Sequence, residues 1–229
     1  MSGRTLVILL ASANSLRGGD WFNQFWPELN VFVRTGESSR IYLLVAGTRT
    51  KADGYTDGQL GVHMDFYFPP VYKGRVANVP AAERNKLLAV RVGYLFGKAP
   101  SSSPDPFTEH TALIEVTPRF PLPCGVMLAD RNRGDLRVVD GDFLPRYRNR
   151  LKLERSIAIG RRSLTPYIHA EAFYDWRYRA FHRQRYAGAA EFEISRRFVL
   201  EGYYLRQEDS RAGVRGMNVG GAVLQIYLY

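Results

Sequence analysis

The chain has 229 residues, 45% of them hydrophobic, which is one large domain or two small ones and too apolar for wholesale disorder. Charged residues make up 24%, and no uninterrupted apolar run exceeds six residues, Leu6 to Ala11 being one, where a membrane-spanning helix needs about 20. The lone Cys124 excludes an internal disulfide and, without a histidine cluster near it, a zinc site, while 13% aromatic content and 21 Gly favour strands and tight turns over helices.

The 32 basic residues outnumber the 22 acidic ones, giving a formal charge of +10. In a soluble protein that excess raises the question of nucleic acid. Only five of the cations are Lys, and the Arg residues are spread through alternating segments instead of one tail or face. That distribution points to fixed, paired, partly buried guanidiniums, and no RNP-like motif is present.

At the N-terminus, Arg4, the apolar stretch Thr5 to Leu10 and the small residues Ala11-Ser12-Ala13 have the layout of a compressed signal peptide. Residues 1–15 are therefore assigned to a truncated signal segment and 16–229 to a single barrel domain; a first strand or helix over Leu6 to Leu10 is the alternative.

From Asp20 onward, segments of about 10 to 17 residues alternate with period 2 and are separated by Gly, Asp, Asn, Ser or Pro. The first sets Phe25, Leu29, Val31 and Val33 against Gln24, Glu28, Asn30 and Arg34, with Trp26 and Phe32 as aromatic intruders on the polar side. The cleanest runs from Tyr55 to Phe68, where Leu60, Val62, Met64 and Phe66 share one face and Asp57, Gln59, His63 and Asp65 the other. The stretch Pro69 to Asn85, with three Pro, reads as an inserted loop. Arg131, Arg133 and Arg137 share one parity with Asp135. Over Phe143 to Gly160, Tyr147, Leu151, Leu153, Ile157 and Ile159 alternate with Arg146, Arg148, Arg150, Lys152 and Glu154. The next strand brings Glu171 and Asp175 to the facing positions, and Glu191 and Glu193 follow. The polar face thus reads as a lattice of ion pairs, with Arg146, Arg148 and Arg150 meeting Glu171 and Asp175.

Eleven segments are visible, near 20–35, 39–49, 55–68, 86–97, 107–118, 125–138, 143–160, 164–178, 181–196, 197–207 and 214–229. Their length, the aromatics at their ends and the aromatic terminal strand Val219 to Tyr229 fit an up-and-down outer-membrane barrel. Such barrels carry charge in the lumen and apolar side chains toward lipid. The expected lumen set is Arg131, Arg133, Arg137, Arg146, Arg148, Arg150, Lys152, Glu154, Glu171, Asp175, Glu191 and Glu193. The expected lipid-facing set is Leu60, Val62, Met64, Phe66, Tyr147, Leu151 and Leu153. A soluble lipocalin-like barrel would invert this, with the apolar parity lining a ligand cavity.

Several stretches carry a resemblance: Glu109 to Pro118, Leu128 to Arg137 (LADRNRGDLR), Pro145 to Glu154 (PRYRNRLKLE), Ala170 to Tyr174 (AEAFY) and Gly202 to Gln207 (GYYLRQ). Together they resemble the domain-of-unknown-function 2490 family over roughly residues 20 to 229. Gly134-Asp135 stands where its R-x-R-x-E-x-R element has x-Glu. The resemblance implies a signal-bearing outer-membrane β-barrel of Gram-negative bacteria and brings no activity with it.

Chemistry is sparse. His63 and His169 each sit two residues before a carboxylate and read as lumen histidines bonded to it, and His182 lies among arginines. Only His110 near Ser101 to Ser103 suggests a hydrolase pair of the kind a lipid-modifying barrel enzyme needs, and that reading ranks third. No phosphate loop, metal spacing or redox motif appears, so no cofactor, metal or nucleic acid is expected. The sequence reading is a single antiparallel transmembrane barrel of 10–12 strands, twelve being favoured because single-chain bacterial barrels have even counts. The expectation is an outer-membrane protein that is not an enzyme. Its role is structural or the passage of small solutes, anions among them, and its partners are outer-membrane lipid and the barrel-assembly machinery, which reads the C-terminal strand.

Overall fold

The computed structural model describes residues 21–50, 54–69, 86–103, 105–211 and 216–229; the expected signal segment at 1–15 and nearly all of the expected loop at 69–85 lie outside them. Within this part the chain is almost entirely strand: β1 (Trp21–Arg34), β2 (Ser39–Thr50), β3 (Gly54–Phe68), β4 (Leu88–Ala99), β5 (Phe107–Pro121), β6 (Val126–Val139), β7 (Asp142–Phe143), β8 (Arg146–Arg155), β9 (Ile157–Ile159), β10 (Arg162–Asp175), β11 (Ala180–Ser195), β12 (Phe198–Asp209) and β13 (Gly216–Leu228). No helix of the described residues is long and apolar enough to cross a membrane.

One expected segment, 143–160, is three strands instead. Asp140 and Gly141 both have positive φ (51° and 94°) and join β6 to β7 as a two-residue hairpin, the conformation that Asp-Gly favours. Pro145 has no amide hydrogen and stands between β7 and β8. At the other end β6 begins opposite Arg155, so beyond it β9 has only β10 to pair with. The two short strands are extensions of hairpins and leave the ring at eleven long strands.

Consecutive long strands pair antiparallel, and the ring closes where β1 pairs β13 in parallel, from Trp21 opposite Gly216 to Val33 opposite Leu228. The expectations of twelve strands and of antiparallel pairing throughout are therefore corrected. Each connection reverses the chain, so with an odd number of strands the first and last run the same way and must meet in parallel. The two chain ends of the ring then lie at opposite rims. Trp21 shares its rim with the β4–β5, β10–β11 and β12–β13 connections, and Leu228 shares the other with β5–β6 and β11–β12.

Parity decides what faces where. Along β3, Leu60 and Val62 are 55% and 59% exposed while His63 and Asp65 are 4% and 3% exposed. The same division holds round the ring: exposed Leu43, Val45, Val92, Ile114, Leu136, Leu151, Ile168, Leu200 and Leu224 form an outer belt, and the inner face carries most of the charge. A small apolar cluster, Ala187, Leu205 and Val219 with Trp26, Tyr203 and Met217, fills the interior beneath β11, β12, β13 and β1.

Candidate functional site in the barrel lumen

Inward-facing side chains of neighbouring strands lie opposite one another, so cross-strand register fixes which charges meet. On one wall a row of register partners reads Arg40, Asp65, Arg91, Glu115 and Arg133 over β2 to β6, alternating in sign at every step. Asp65 accepts from Arg40 Nε at 2.8 Å and from Arg91 Nε and Nη2 at 2.6 and 3.0 Å. Beside this row the rings of Tyr227, Phe32, Tyr42 and His63 stack at successive centroid distances of 4.9, 4.8 and 4.8 Å. The Arg40 and Arg91 guanidiniums lie over Phe32 and Tyr42 at 4.1 and 4.3 Å. The aromatic intruders of β1 are thus lumen residues: Phe32 lies between the Tyr227 and Tyr42 rings with the Arg40 guanidinium over it, and Trp26 has the Arg185 guanidinium over its ring.

The wall from β6 to β10 is built differently. Arg131 lies opposite Arg150 and Arg133 opposite Arg148, two like-charge pairs in tandem. They are neutralised from the flanks. Glu171 accepts from Arg131 at 2.5 Å, Arg148 at 2.8 Å and Arg150 at 2.8 Å, and Asp135 accepts from Arg133 at 2.6 Å and Arg146 at 2.8 Å. Arg137 grips Glu109 with two bonds, 2.9 and 2.8 Å, and Glu154 takes Arg119 at 3.0 Å as well as Lys152. Phe173, 1% exposed, sits among these cations.

Three further carboxylates, Glu191, Glu193 and Glu201, lie toward the rim where β13 ends. Glu201 accepts from the Tyr167 hydroxyl at 2.5 Å and from Gln225 Nε2 at 3.0 Å, and Gln225 Oε1 in turn accepts from Tyr227 at 2.7 Å. Gln225, which breaks the apolar alternation of the last strand, is therefore on the lumen face with Tyr227. A cleft of about 230 Å³ opens there, with Glu191, Glu193, Thr165 and Tyr229 among its lining, and Ser163 donates to Glu193 at 2.8 Å.

A model of the family described as "Protein of unknown function (DUF2490)" matches residues 23–218. The chain belongs to the DUF2490 family. Among solved structures, this DUF2490 barrel is similar to the crystal structure of the β-domain of the Bordetella autotransporter Brka, with 13% identity over 81% of this chain and 82% of that one and a TM-score of 0.43. No curated protein matches the chain.

Every residue of the expected lumen set lies on the inward parity of its strand, but the partners differ in one place. Arg146 bonds Asp135 rather than Asp175, because Asp175 ends β10 and accepts the backbone amide of Arg177 at 2.9 Å in the turn. Of the expected lipid-facing set, Leu60, Val62, Leu151 and Leu153 are exposed on the outer face, and Met64, Phe66 and Tyr147 are half-buried there. Tyr147 belongs to an outer polar cluster in this DUF2490 barrel: its hydroxyl donates to Asn132 Oδ1 at 2.5 Å, and Asn149 Nδ2 donates to Asp130 at 2.6 Å.

The histidine expectations need correction. His63 and His169 do face the lumen, yet neither bonds its neighbouring carboxylate: His63 Nδ1 and both ring nitrogens of His169 lack a hydrogen bond among the described residues. Arginines occupy Asp65 and Glu171, so the rings stack instead, on Tyr42 and Tyr167. His110 is on the outer face with its Nδ1 2.5 Å from the Tyr94 hydroxyl rather than on a serine. Asp65, Glu109, Glu115, Asp135, Arg183, Arg185 and Glu201 are lumen residues outside the expected set. Glu115, Asp135, Arg183, Arg185 and Glu201 each share a strand's parity with a residue of that set or face one across a strand pair, whereas Asp65 and Glu109 lie on strands that the set does not reach and are marked only by the alternation of their own segments.

Proposed function

We propose that this DUF2490 protein is an outer-membrane β-barrel of a Gram-negative bacterium whose lumen is braced by ion pairs and stacked rings, so that its role is structural or limited to small solutes. One observation carries the reading: an apolar belt on the outside of a ring whose inside is charged. Soluble proteins rarely leave contiguous apolar surface beyond a few hundred Å². Here Leu43 meets Val62, Val45 meets Leu60, Val62 meets Tyr94, Val92 meets Ile114 and Leu153 meets Ile168 across successive strand pairs, all on the outer face. A soluble ligand-binding barrel needs that parity inside. In this reading lipid is the partner of the belt, β13, with Leu224, Ile226 and Leu228 on its outer face, is the element that the assembly machinery engages, and the barrel is not an enzyme.

The experiment compares two adjacent positions on β3. Leu60→Arg places a cation near the middle of the belt, where Arg on the lipid face costs about 2–4 kcal/mol. Gln59→Arg places one on the lumen parity. Refolded into detergent micelles and then into lipid vesicles, Gln59→Arg is expected to keep heat-modifiable migration and vesicle insertion, and Leu60→Arg to lose both. A parent protein that is monodisperse without detergent, or equal insertion of the two variants, would overturn the membrane assignment. Large steady conductance in planar bilayers would overturn the braced lumen.

A further inference from the structure

We infer that the lumen holds a binding site for a small oxoanion, of the phosphate, sulfate or carboxylate class, centred on Arg185. Four guanidinium carbons surround the Phe173 ring, those of Arg148, Arg185, Arg146 and Arg183 at 4.7, 4.8, 5.5 and 5.8 Å from its centroid. Three of them are matched by carboxylates: Arg148 by Glu171, Arg146 by Asp135 and Arg183 by Asp209, each at 2.8 Å. Arg185 differs. Its Nε donates to the neutral Gln207 Oε1 at 2.7 Å, its guanidinium carbon lies 5.0 Å from the Trp26 ring centroid as well as over Phe173, and it makes no ion pair among the described residues.

The arrangement is that of a receptor rather than a brace. Two aromatic rings and one amide fix the guanidinium, but ring quadrupoles and an amide dipole orient a charge without cancelling it. With Nε engaged, Nη1 and Nη2 have no hydrogen bond among the described residues. They present the paired, parallel donors that match two oxygens of one oxoanion, whereas a halide offers one acceptor atom to both. Because Glu171 and Asp135 are each shared with further arginines, guanidiniums outnumber carboxylates around Phe173 and the local potential is positive. The inference deepens the reading of the lumen and rests on the charged face pointing inward; it does not depend on where the barrel is located.

The test titrates inorganic phosphate into the refolded full-length protein in detergent micelles at constant ionic strength. Calorimetry and the fluorescence of Trp26, in a Trp21→Phe/Trp176→Phe background, read the binding. Saturable binding with a change in Trp26 emission is expected. Arg185→Gln should weaken it at least tenfold, and so should Arg185→Lys, which keeps the charge but not the fork. Arg162→Gln, on exposed β10 surface, should leave it unchanged. Absence of saturable binding in the folded parent, unchanged affinity in Arg185→Gln, or chloride binding as tightly as phosphate would each overturn the site. Should Arg185→Gln fail to fold by heat-modifiable migration, Arg185→Lys decides. Vesicle insertion, measured separately with the β3 variants, fails or succeeds independently of phosphate binding.

Discussion

On the β2 to β5 wall opposite charges are nearest neighbours across the sheet, whereas on the β6 to β10 wall cations face cations and the carboxylates are supplied from the next strand or the same one. The first wall neutralises itself step by step: Asp65 serves two arginines, and Arg91 also has Glu115 opposite. In the second, one carboxylate serves three guanidiniums, and like charges placed directly opposite would repel without it. Two lattices of similar composition therefore distribute their dependence differently. Loss of one acceptor in the alternating row leaves neighbours that can share, while loss of Glu171 leaves Arg148 and Arg150 without an ion pair among the described residues and Arg131 with Glu115 alone, at 3.6 Å.

The largest effect is expected at Glu171. Glu171→Gln keeps the side chain's size and removes the charge that holds Arg131, Arg148 and Arg150, and breaking a buried ion pair from one side costs about 3–5 kcal/mol. The urea midpoint for loss of heat-modifiable migration should fall accordingly. Adding Arg150→Gln to that variant should restore part of the loss, since it removes one of the cations left without a partner. Equal costs for the single and double variants would break the picture of Glu171 as the shared acceptor.

Asp65→Asn is the matched change on the other wall and should cost less, about 3 kcal/mol or below, because the arginines it leaves, Arg40 and Arg91, are 27% and 22% exposed and can regain water. The amide oxygen still accepts from one arginine, and Arg91 retains Glu115 across the β4–β5 pair. The same urea series measures it. A cost equal to or above that of Glu171→Gln would show that strand-to-strand alternation gives no resilience.

The contrast also marks what could be read from the sequence. Parity was legible wherever one face is oily and the other wet, as in Leu60 and Val62 against His63 and Asp65, because a period of 2 is the local geometry of a strand and needs no tertiary information. The strand end at Asp140-Gly141 was legible from its turn chemistry, but the breaks at Pro145 and Ser156 were not, since the expected segment 143–160 runs through both. Pairing was not. Parity puts Arg146 in the lumen but cannot say that Asp135 rather than Asp175 will take it, since both lie opposite it on different neighbours. It likewise places His63 and His169 inside without revealing that arginines have already claimed Asp65 and Glu171. The parallel seam is a property of the whole ring, the count of reversals between first and last strand, and no segment of the sequence carries it. Arg185 escaped notice because its distinguishing feature is the lack of a carboxylate, which only the assembled neighbours display.

The smallest effect is expected in the stack that crosses that seam. Tyr227 of β13, Phe32 of β1 and Tyr42 of β2 are consecutive in the ring of strands, and their rings meet face to face on the lumen side at 4.9 and 4.8 Å. Parallel pairing is slightly weaker per residue than antiparallel pairing, so the seam gains from side chains that bind across it. Phe32→Leu keeps an apolar side chain at the position but removes both ring contacts and the Arg40 guanidinium's platform. Aromatic pairs contribute about 0.5–1.5 kcal/mol beyond their burial, so a loss near 1 kcal/mol is expected. Tyr227→Leu removes one of the same contacts, and the two losses should sum to more than that of the double variant, because the Phe32–Tyr227 contact can be lost only once. Strictly additive losses would mean that the rings act singly and that the backbone ladder alone holds the parallel closure.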